Sequence, residues 1–201
     1  AALDGRWPYE IIYVNDGSTD DTAQRLAEEM ARRPNLRDLR HEKSSGQSAA
    51  VRSGIRAARG AIVATLDGEG QNNPAFLPEL IGAIEKGGAG VGLVAGQRVG
   101  RKDTGFKKLQ SRLANRIRNA VLHDGTRDTG CGLKAVRRAL FLAVPCFAGL
   151  HRLLPAWGRR DGYDIAYVDV VVRLPPAGAV ISCLWCRCGV GVVVFMGLRC
   201  V

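Results

Sequence analysis

Residues 10–22 read Glu-Ile-Ile-Tyr-Val-Asn-Asp-Gly-Ser-Thr-Asp-Asp-Thr, and the fold turns on how this stretch is parsed. Glu10 to Val14 is a β-rich run, and Asn15-Asp16-Gly17-Ser18 is a turn with its own helix cap. Ala23, Leu26, Ala27 and Met30 then fall on one face of a helix, completing a strand, turn, helix unit. The same alternation continues outward. A helix is expected from Gln47 to Arg59 and stops at Gly60, and Ala61 to Leu66 is a short apolar run of the kind that fills a buried parallel strand. Asp67 stands where that strand ends. Pro74 suits the first turn of a helix through Glu85, Gly87-Gly88 terminates it, and Val91 to Ala95 makes a further strand. Strands alternating with helices predict an α/β domain with a mainly parallel sheet. The pattern then changes to a helix over Phe106 to Leu122, a turn over Asp128 to Gly132, a helix from Lys134 to Val144 and a last strand from Asp164 to Val172.

The chain has 201 residues, which suits one domain or one with an appendage, and its 46% hydrophobic and 24% charged residues exclude wholesale disorder and fibrous repeats. A net charge of +10 points to an anionic partner. Residues 97–138 hold twelve Lys or Arg against three acids, nearly the whole excess. Within them Phe106, Leu109, Leu113, Ile117 and Val121 fall at helical spacing beside Lys107, Lys108, Arg112, Arg116 and Arg118. Such a stripe fits a helix lying on an anionic membrane surface, and equally a core-packed helix with a solvated basic face. The longest uncharged stretch of the tail, Leu174 to Cys186, holds two prolines and falls short of the ~20 residues that span a bilayer. The first residues lack the basic-then-apolar order of a signal peptide.

Four of the six cysteines (Cys183, Cys186, Cys188, Cys200) crowd into the last nineteen residues, while Cys131 and Cys146 stand alone, a pattern of a reducing, cytosolic compartment. Cys183-x-x-Cys186-x-Cys188 has no accompanying His or second Cys pair, so a zinc site is not favoured. Residues 173–201 carry only Arg173, Arg187 and Arg199 as charges and read as a tail foreign to a domain at 1–172: disordered, hydrophobic or translated out of frame.

In open α/β sheets ligands bind beyond the carboxyl ends of the strands, where two acidic turns fall, Asn15-Asp16-Gly17-Ser18 and Asp67-Gly68-Glu69. Two carboxylates one residue apart can face one cation, and a hard divalent ion so held can stabilise a departing diphosphate. A solvated Asp-Gly turn accounts for Asp67-Gly68 taken alone. No motif brings His41, His123 and His151 together; packed or solvated is the favoured reading of each, and for His151-Arg152, which follow the helix expected from Lys134 to Val144, an approach to substrate is the other.

The ordered set is more specific than any piece. Residues 10–22, Gly-Gln-Ser-Ala-Ala (46–50), Thr-Leu-Asp-Gly-Glu-Gly-Gln-Asn-Asn-Pro (65–74), Gly-Gln-Arg (96–98) and Arg-Asp-Thr-Gly-Cys-Gly-Leu-Lys (127–134) together closely resemble family 2 glycosyltransferases. The nearest branch is the polyprenyl-phosphate, dolichol-phosphate mannosyltransferase-like sugar transferases. The resemblance implies a GT-A, Rossmann-like nucleotide-sugar-binding fold that passes a sugar from a GDP- or UDP-linked donor to a polyprenyl phosphate with inversion. It implies nucleotide contacts at Asn15, Asp16 and Ser18, with Asn15 where the family usually has Asp. It implies Mg²⁺ or Mn²⁺ at Asp67 and Glu69, Gln71 close to the reacting centre, and phosphate or acceptor contacts at Arg98, Arg101, Asp128 and Lys134. The implied place of work is the cytosolic face of a membrane, held peripherally on its anionic surface.

Glu69 replaces the family's second Asp and adds a methylene. The family's opening strand, ending in an Asn-Glu pair, has no counterpart in the nine residues before Glu10, so the resemblance implies an N-terminally truncated domain. Three other readings stand beside it. One is a family 2 transferase for a soluble or polysaccharide acceptor, with Asp128 as general base; another is an inactive fragment. The third, a basic nucleic-acid-binding module, is disfavoured by the scarcity of aromatics in the basic segment, where only Phe106 interleaves, and nucleic acid is not expected as a partner.

Overall fold

A computed structural model describes residues 2–67, 72–99, 126, 128 and 130–171, and the backbone of 189–196. The expected helix over 106–122 and the cysteine cluster at 183–188 lie outside the described residues. In chain order the elements are β1 (Tyr9–Asp16), α1 (Thr22–Arg32), β2 (Leu36–His41), α2 (Gln47–Ala57), β3 (Ile62–Asp67) and α3 (Leu77–Lys86). There follow β4 (Val91–Val99), β5 (Lys134–Arg137), α4 (Arg138–Ala143), α5 (Leu150–Arg160), β6 (Asp164–Val171) and β7 (Gly189–Met196).

The strands form one sheet in the order β2-β1-β7-β3-β5-β4-β6. β1 and β2 pair in parallel, as do β4 and β6, whereas β7 runs antiparallel to β1 and β3, and β5 antiparallel to β3 and β4. It follows that β1, β2, β3, β4 and β6 all point one way, and the two opposing strands are inserted among them. The sheet is mainly parallel in direction although most of its ladders are antiparallel.

Alternation along the strands divides the interior into two cores. Val63, Leu93 and Val136 face Ala50, Val51 and Ile55 of α2 with Phe141 and Leu154 from α4 and α5. Their neighbours Ile62, Ala64, Leu66, Val94 and Ala135 face Leu77, Leu80, Ile81 and Ile84, the i, i+3, i+4, i+7 stripe of α3. Helices therefore cover both faces, as the near-continuous burial of β3 and β4 requires.

Three elements depart from the sequence reading. Lys134 to Val144 is not one helix: Lys134–Arg137 is strand β5, and the helix begins at Arg138. Ala135 and Val136 have helix-compatible neighbours, but pairing with both β3 and β4 buries them completely and outweighs local propensity. β2, of sequence Leu-Arg-Asp-Leu-Arg-His, is an edge strand whose charges conceal its period. The segment set apart as a tail returns to the sheet at Gly189–Met196, where β7 lies between β1 and β3.

Candidate active site

Because five strands point the same way, Asp16, His41, Asp67 and Arg98 all arrive at one edge of the sheet, and Lys134 starts the opposing β5 there. Asp16 is wholly buried. Its carboxylate accepts hydrogen bonds from the Ser45 amide (2.9 and 3.0 Å), the Gly46 amide (2.8 Å) and the Ser44 hydroxyl (3.0 Å), and meets His41 Nδ1 at 2.6 Å. Burial alone would raise the Asp16 carboxyl; the amides, the His41 ring and the Ser44 hydroxyl together hold it below the ordinary carboxylate range. His41 Nε2 in turn meets Ser53 Oγ on α2 at 2.9 Å. Asp16 thus fixes the 44–46 loop that opens α2, rather than offering an open carboxylate to solvent.

Asn15 closes the turn, its Oδ1 accepting from the Ser18 amide at 2.9 Å, while its buried Nδ2 has no hydrogen-bond partner among the described residues. Gly17 is required by two constraints: its φ is +78°, and a Cβ would lie 2.6 Å from the Ser44 nitrogen.

Asp67, at the end of β3, accepts from Gln47 Nε2 (3.1 Å) and Asn72 Nδ2 (3.3 Å). Gly132 packs directly against it: a Cβ there would come within 1.9 Å of Asp67 Oδ2. The Thr65 hydroxyl donates to the Gly132 carbonyl (2.8 Å) and holds that approach. Beside Asp67 opens a small cavity lined by Gln47, Thr65, Asp67, Lys134 and His151 on its polar side and by Val51, Phe141 and Leu154 on its apolar one. Lys134 is 5% exposed, and its ammonium donates to the Cys131 carbonyl. Burial pushes its pKa down, against the opposing pull of Cys131, Asp67 and Asp128.

Arg98 and Asp128 form a bidentate ion pair, Nε to Oδ2 at 2.5 Å and Nη2 to Oδ1 at 2.8 Å, with the Gly130 amide also donating to Asp128 (3.0 Å). Burial would raise the Asp128 carboxyl, but Arg98 holds it below its ordinary value. A carboxylate so stabilised is a poor proton acceptor, which weighs against Asp128 as a general base.

Asn15, Asp16, Ser18, Asp67, Arg98, Asp128 and Lys134 therefore share the carboxyl edge; Glu69, Gln71 and Arg101 lie outside the described residues. The geometry adds His41, Gln47, Asn72 and His151, which side-chain type alone did not single out. Gln47 and Asn72 lie within quoted motifs, so their signal was position in an ordered set. His41 had none, and His151 only its place after the helix expected from Lys134 to Val144.

Residues 5–144 match Glycosyl transferase family 2. The chain is 36% identical over 154 residues to dodecaprenyl-phosphate galacturonate synthase of Rhizobium johnstonii, covering 76% of this chain and 44% of that protein. It is 36% identical over 139 residues to undecaprenyl-phosphate 4-deoxy-4-formamido-L-arabinose transferase of Pseudomonas fluorescens, covering 69% and 40%. The chain thus spans less than half the length of these curated relatives. Among solved structures, glucosyl-3-phosphoglycerate synthase of Mycobacterium tuberculosis with phosphoglyceric acid superposes with a TM-score of 0.63 at 26% identity, over 82% of this chain and 60% of that one. Its complex with Mn²⁺ and uridine-diphosphate-glucose gives 0.62 at 25%, over 83% and 60%. The matched stretch runs from before β1 through α4 and so contains Asp16, Asp67, Arg98, Asp128 and Lys134, and with a GT-A fold around them the chain belongs to glycosyl transferase family 2.

Proposed function

We propose that this chain is the nucleotide-sugar-binding and catalytic part of an inverting transferase that moves a sugar from a UDP-linked donor to a polyprenyl phosphate. The observation that carries the reading is the convergence of Asp67 and the buried Lys134 on one cavity at the carboxyl edge, in a chain whose curated relatives are named for polyprenyl-phosphate sugar transfer. The uridine nucleotide is favoured over a guanosine one by the solved relative that holds uridine-diphosphate-glucose with Mn²⁺.

Asp67 fits a hard divalent cation. Its carboxylate oxygens each accept one amide hydrogen bond among the described residues, leaving lone pairs at the cavity mouth. Among the described residues no three His, Cys, Asp or Glu are gathered, so the protein would supply few ligands, Asp67 and by expectation Glu69. Such sparse carboxylate ligation is how Mg²⁺ is usually bound beside substrate phosphates. Bound there, Mg²⁺ or Mn²⁺ supplies charge neutralisation for the departing diphosphate.

The chain's own groups do the rest. Asp16 shapes the loop at the start of α2, and the Asn15–Ser18 turn beside it forms part of the nucleotide's seat. Gln47 and Asn72 orient the Asp67 carboxylate. Lys134 presents a cation to acceptor phosphate, and Arg98 with Asp128 braces the strand end beside it. A phosphate monoester is already ionised near neutral pH, so the acceptor needs no general base and catalysis is positioning and electrostatic stabilisation. The basic residues Lys107, Lys108, Arg112, Arg116 and Arg118 hold the protein at the anionic cytosolic leaflet, at about 1 kcal/mol per nearby Lys or Arg. No helix among the described residues is long and apolar enough to cross a membrane.

The test is binding of UDP, GDP and CDP to the purified chain with Mn²⁺ and with EDTA, followed by sugar transfer to polyprenyl phosphate and to 3-phosphoglycerate. UDP binding only with metal, and transfer to the lipid alone, is the expected result. Binding indifferent to EDTA sinks the metal site, and transfer to 3-phosphoglycerate moves the assignment to a soluble acceptor.

A further inference from the structure

His151 lies on α5, far in sequence from the motifs at 10–134, yet it lines the cavity beside Asp67 and Lys134. Its environment is specific. Ser48, on the first turn of α2, accepts a hydrogen bond from the Gly149 amide at 3.0 Å and lies 3.1 Å from His151 Nδ1. A Ser48 hydroxyl that gives its proton to Nδ1 leaves the ring proton on Nε2, and this is the tautomer taken for His151. Nε2 has no hydrogen-bond partner among the described residues. Burial, and then the charges of Lys134 and Arg152, push the ring pKa down to about 4, so at neutral pH it is an uncharged donor. Lys134, almost wholly buried, likewise uses one donor, to the Cys131 carbonyl, and has others to give. A polar cavity wall with two under-used donors calls for a ligand rich in acceptors.

We propose that His151 Nε2–H and Lys134 Nζ form a two-donor clasp for the oxygens of a phosphate monoester in the cavity beside Asp67, with Ser48 as the positioning residue that fixes the imidazole tautomer. This rests on the acceptor reading given above and adds to it the residue that selects a phosphate from below the strand ends.

The experiment compares the full chain with His151→Phe, which keeps ring bulk, and His151→Gln, whose amide nitrogen reaches near the place of Nε2. Affinities for farnesyl phosphate, glycerol 3-phosphate and UDP with Mn²⁺ are measured by calorimetry, with thermal melts for each variant and steady-state KM where turnover is present. The expected result is that His151→Phe weakens farnesyl phosphate about tenfold, as loss of one charge-assisted hydrogen bond implies. UDP affinity and the melting temperature stay unchanged, and His151→Gln recovers most of the loss. If the wild-type chain binds glycerol 3-phosphate but not farnesyl phosphate, and His151→Phe weakens that, the clasp stands and the polyprenyl acceptor falls. Equal affinities in wild type and His151→Phe, a matching loss of UDP, or no phosphate ester bound by a folded wild-type chain overturns the clasp.

Discussion

Asp67 and Gly132 illustrate how narrowly one residue can define a site. The carboxylate has no room to retreat, because the Gly132 Cα lies where any side chain would collide with Oδ2. Gly132→Ala is therefore expected to displace Asp67 and weaken metal-dependent nucleotide binding about tenfold or more, with the fold intact by circular dichroism. Calorimetric titration of UDP with Mn²⁺ reads this directly, and unchanged affinity would detach Gly132 from the site. Asp16 makes a different prediction. Its native carboxyl lies below the ordinary 3.8, so its contribution to stability is fully present above that pH and is lost as pH falls through the native value. Asp16→Asn is expected to cost about 2 kcal/mol near neutral pH, because bonds to a buried charge are replaced by weaker ones. The gap from wild type should close on acidification below pH 3.8, and urea melts across that range would show it. Residue type alone pointed to Asp16 and Asp67, but not to what holds them: His41 and His151 act through hydrogen bonds to Asp16 and Ser48 that cross about 25 and 103 residues.

At the scale of elements, what could be read from the sequence was whatever had a clean period. β1, α2, β3, α3 and β4 each bury residues at strand or helix spacing, and their predicted limits lie within a few residues of the observed ones. β2, β5 and β7 were missed for distinct reasons: charges on an edge, a strand too short to show a period, and a Gly/Val run obscured by the unusual segment around it. β7 is testable by its backbone alone. Val193 lies opposite Ile12 on one side and Thr65 on the other, so Val193→Pro removes a ladder donor from the middle of the sheet. A destabilisation of about 3 kcal/mol or more is expected, with faster amide exchange at Ile12 and Val63. Exchange indifferent to the substitution would show that β1 and β3 do not depend on this strand.

For the molecule as a whole, the positive charge is the quantity that acts at a distance. Most of it falls in residues 97–138, and the site faces the same end of β4 from which that segment departs. Reversing Arg112 and Arg116 to Glu is expected to weaken binding to vesicles of anionic lipid several-fold while UDP affinity stays constant, since each basic residue near the surface contributes about 1 kcal/mol. Flotation at two salt concentrations separates this from lipid-independent binding, and equal flotation of the variant would favour the core-packed helix. The arrangement of the sheet also has a consequence for biosynthesis. Tyr9 and Ile62 both pair with Met196, so the strand that joins the two halves of the sheet is made long after the two strands it lies between. A nascent chain carries β1 and β3 with unpaired facing edges until β7 is made, and can close its sheet only when residue 196 has cleared the exit tunnel. Until then the facing edges of β1 and β3 are open to chaperones, for a time set by the interval between the synthesis of β3 and that of β7.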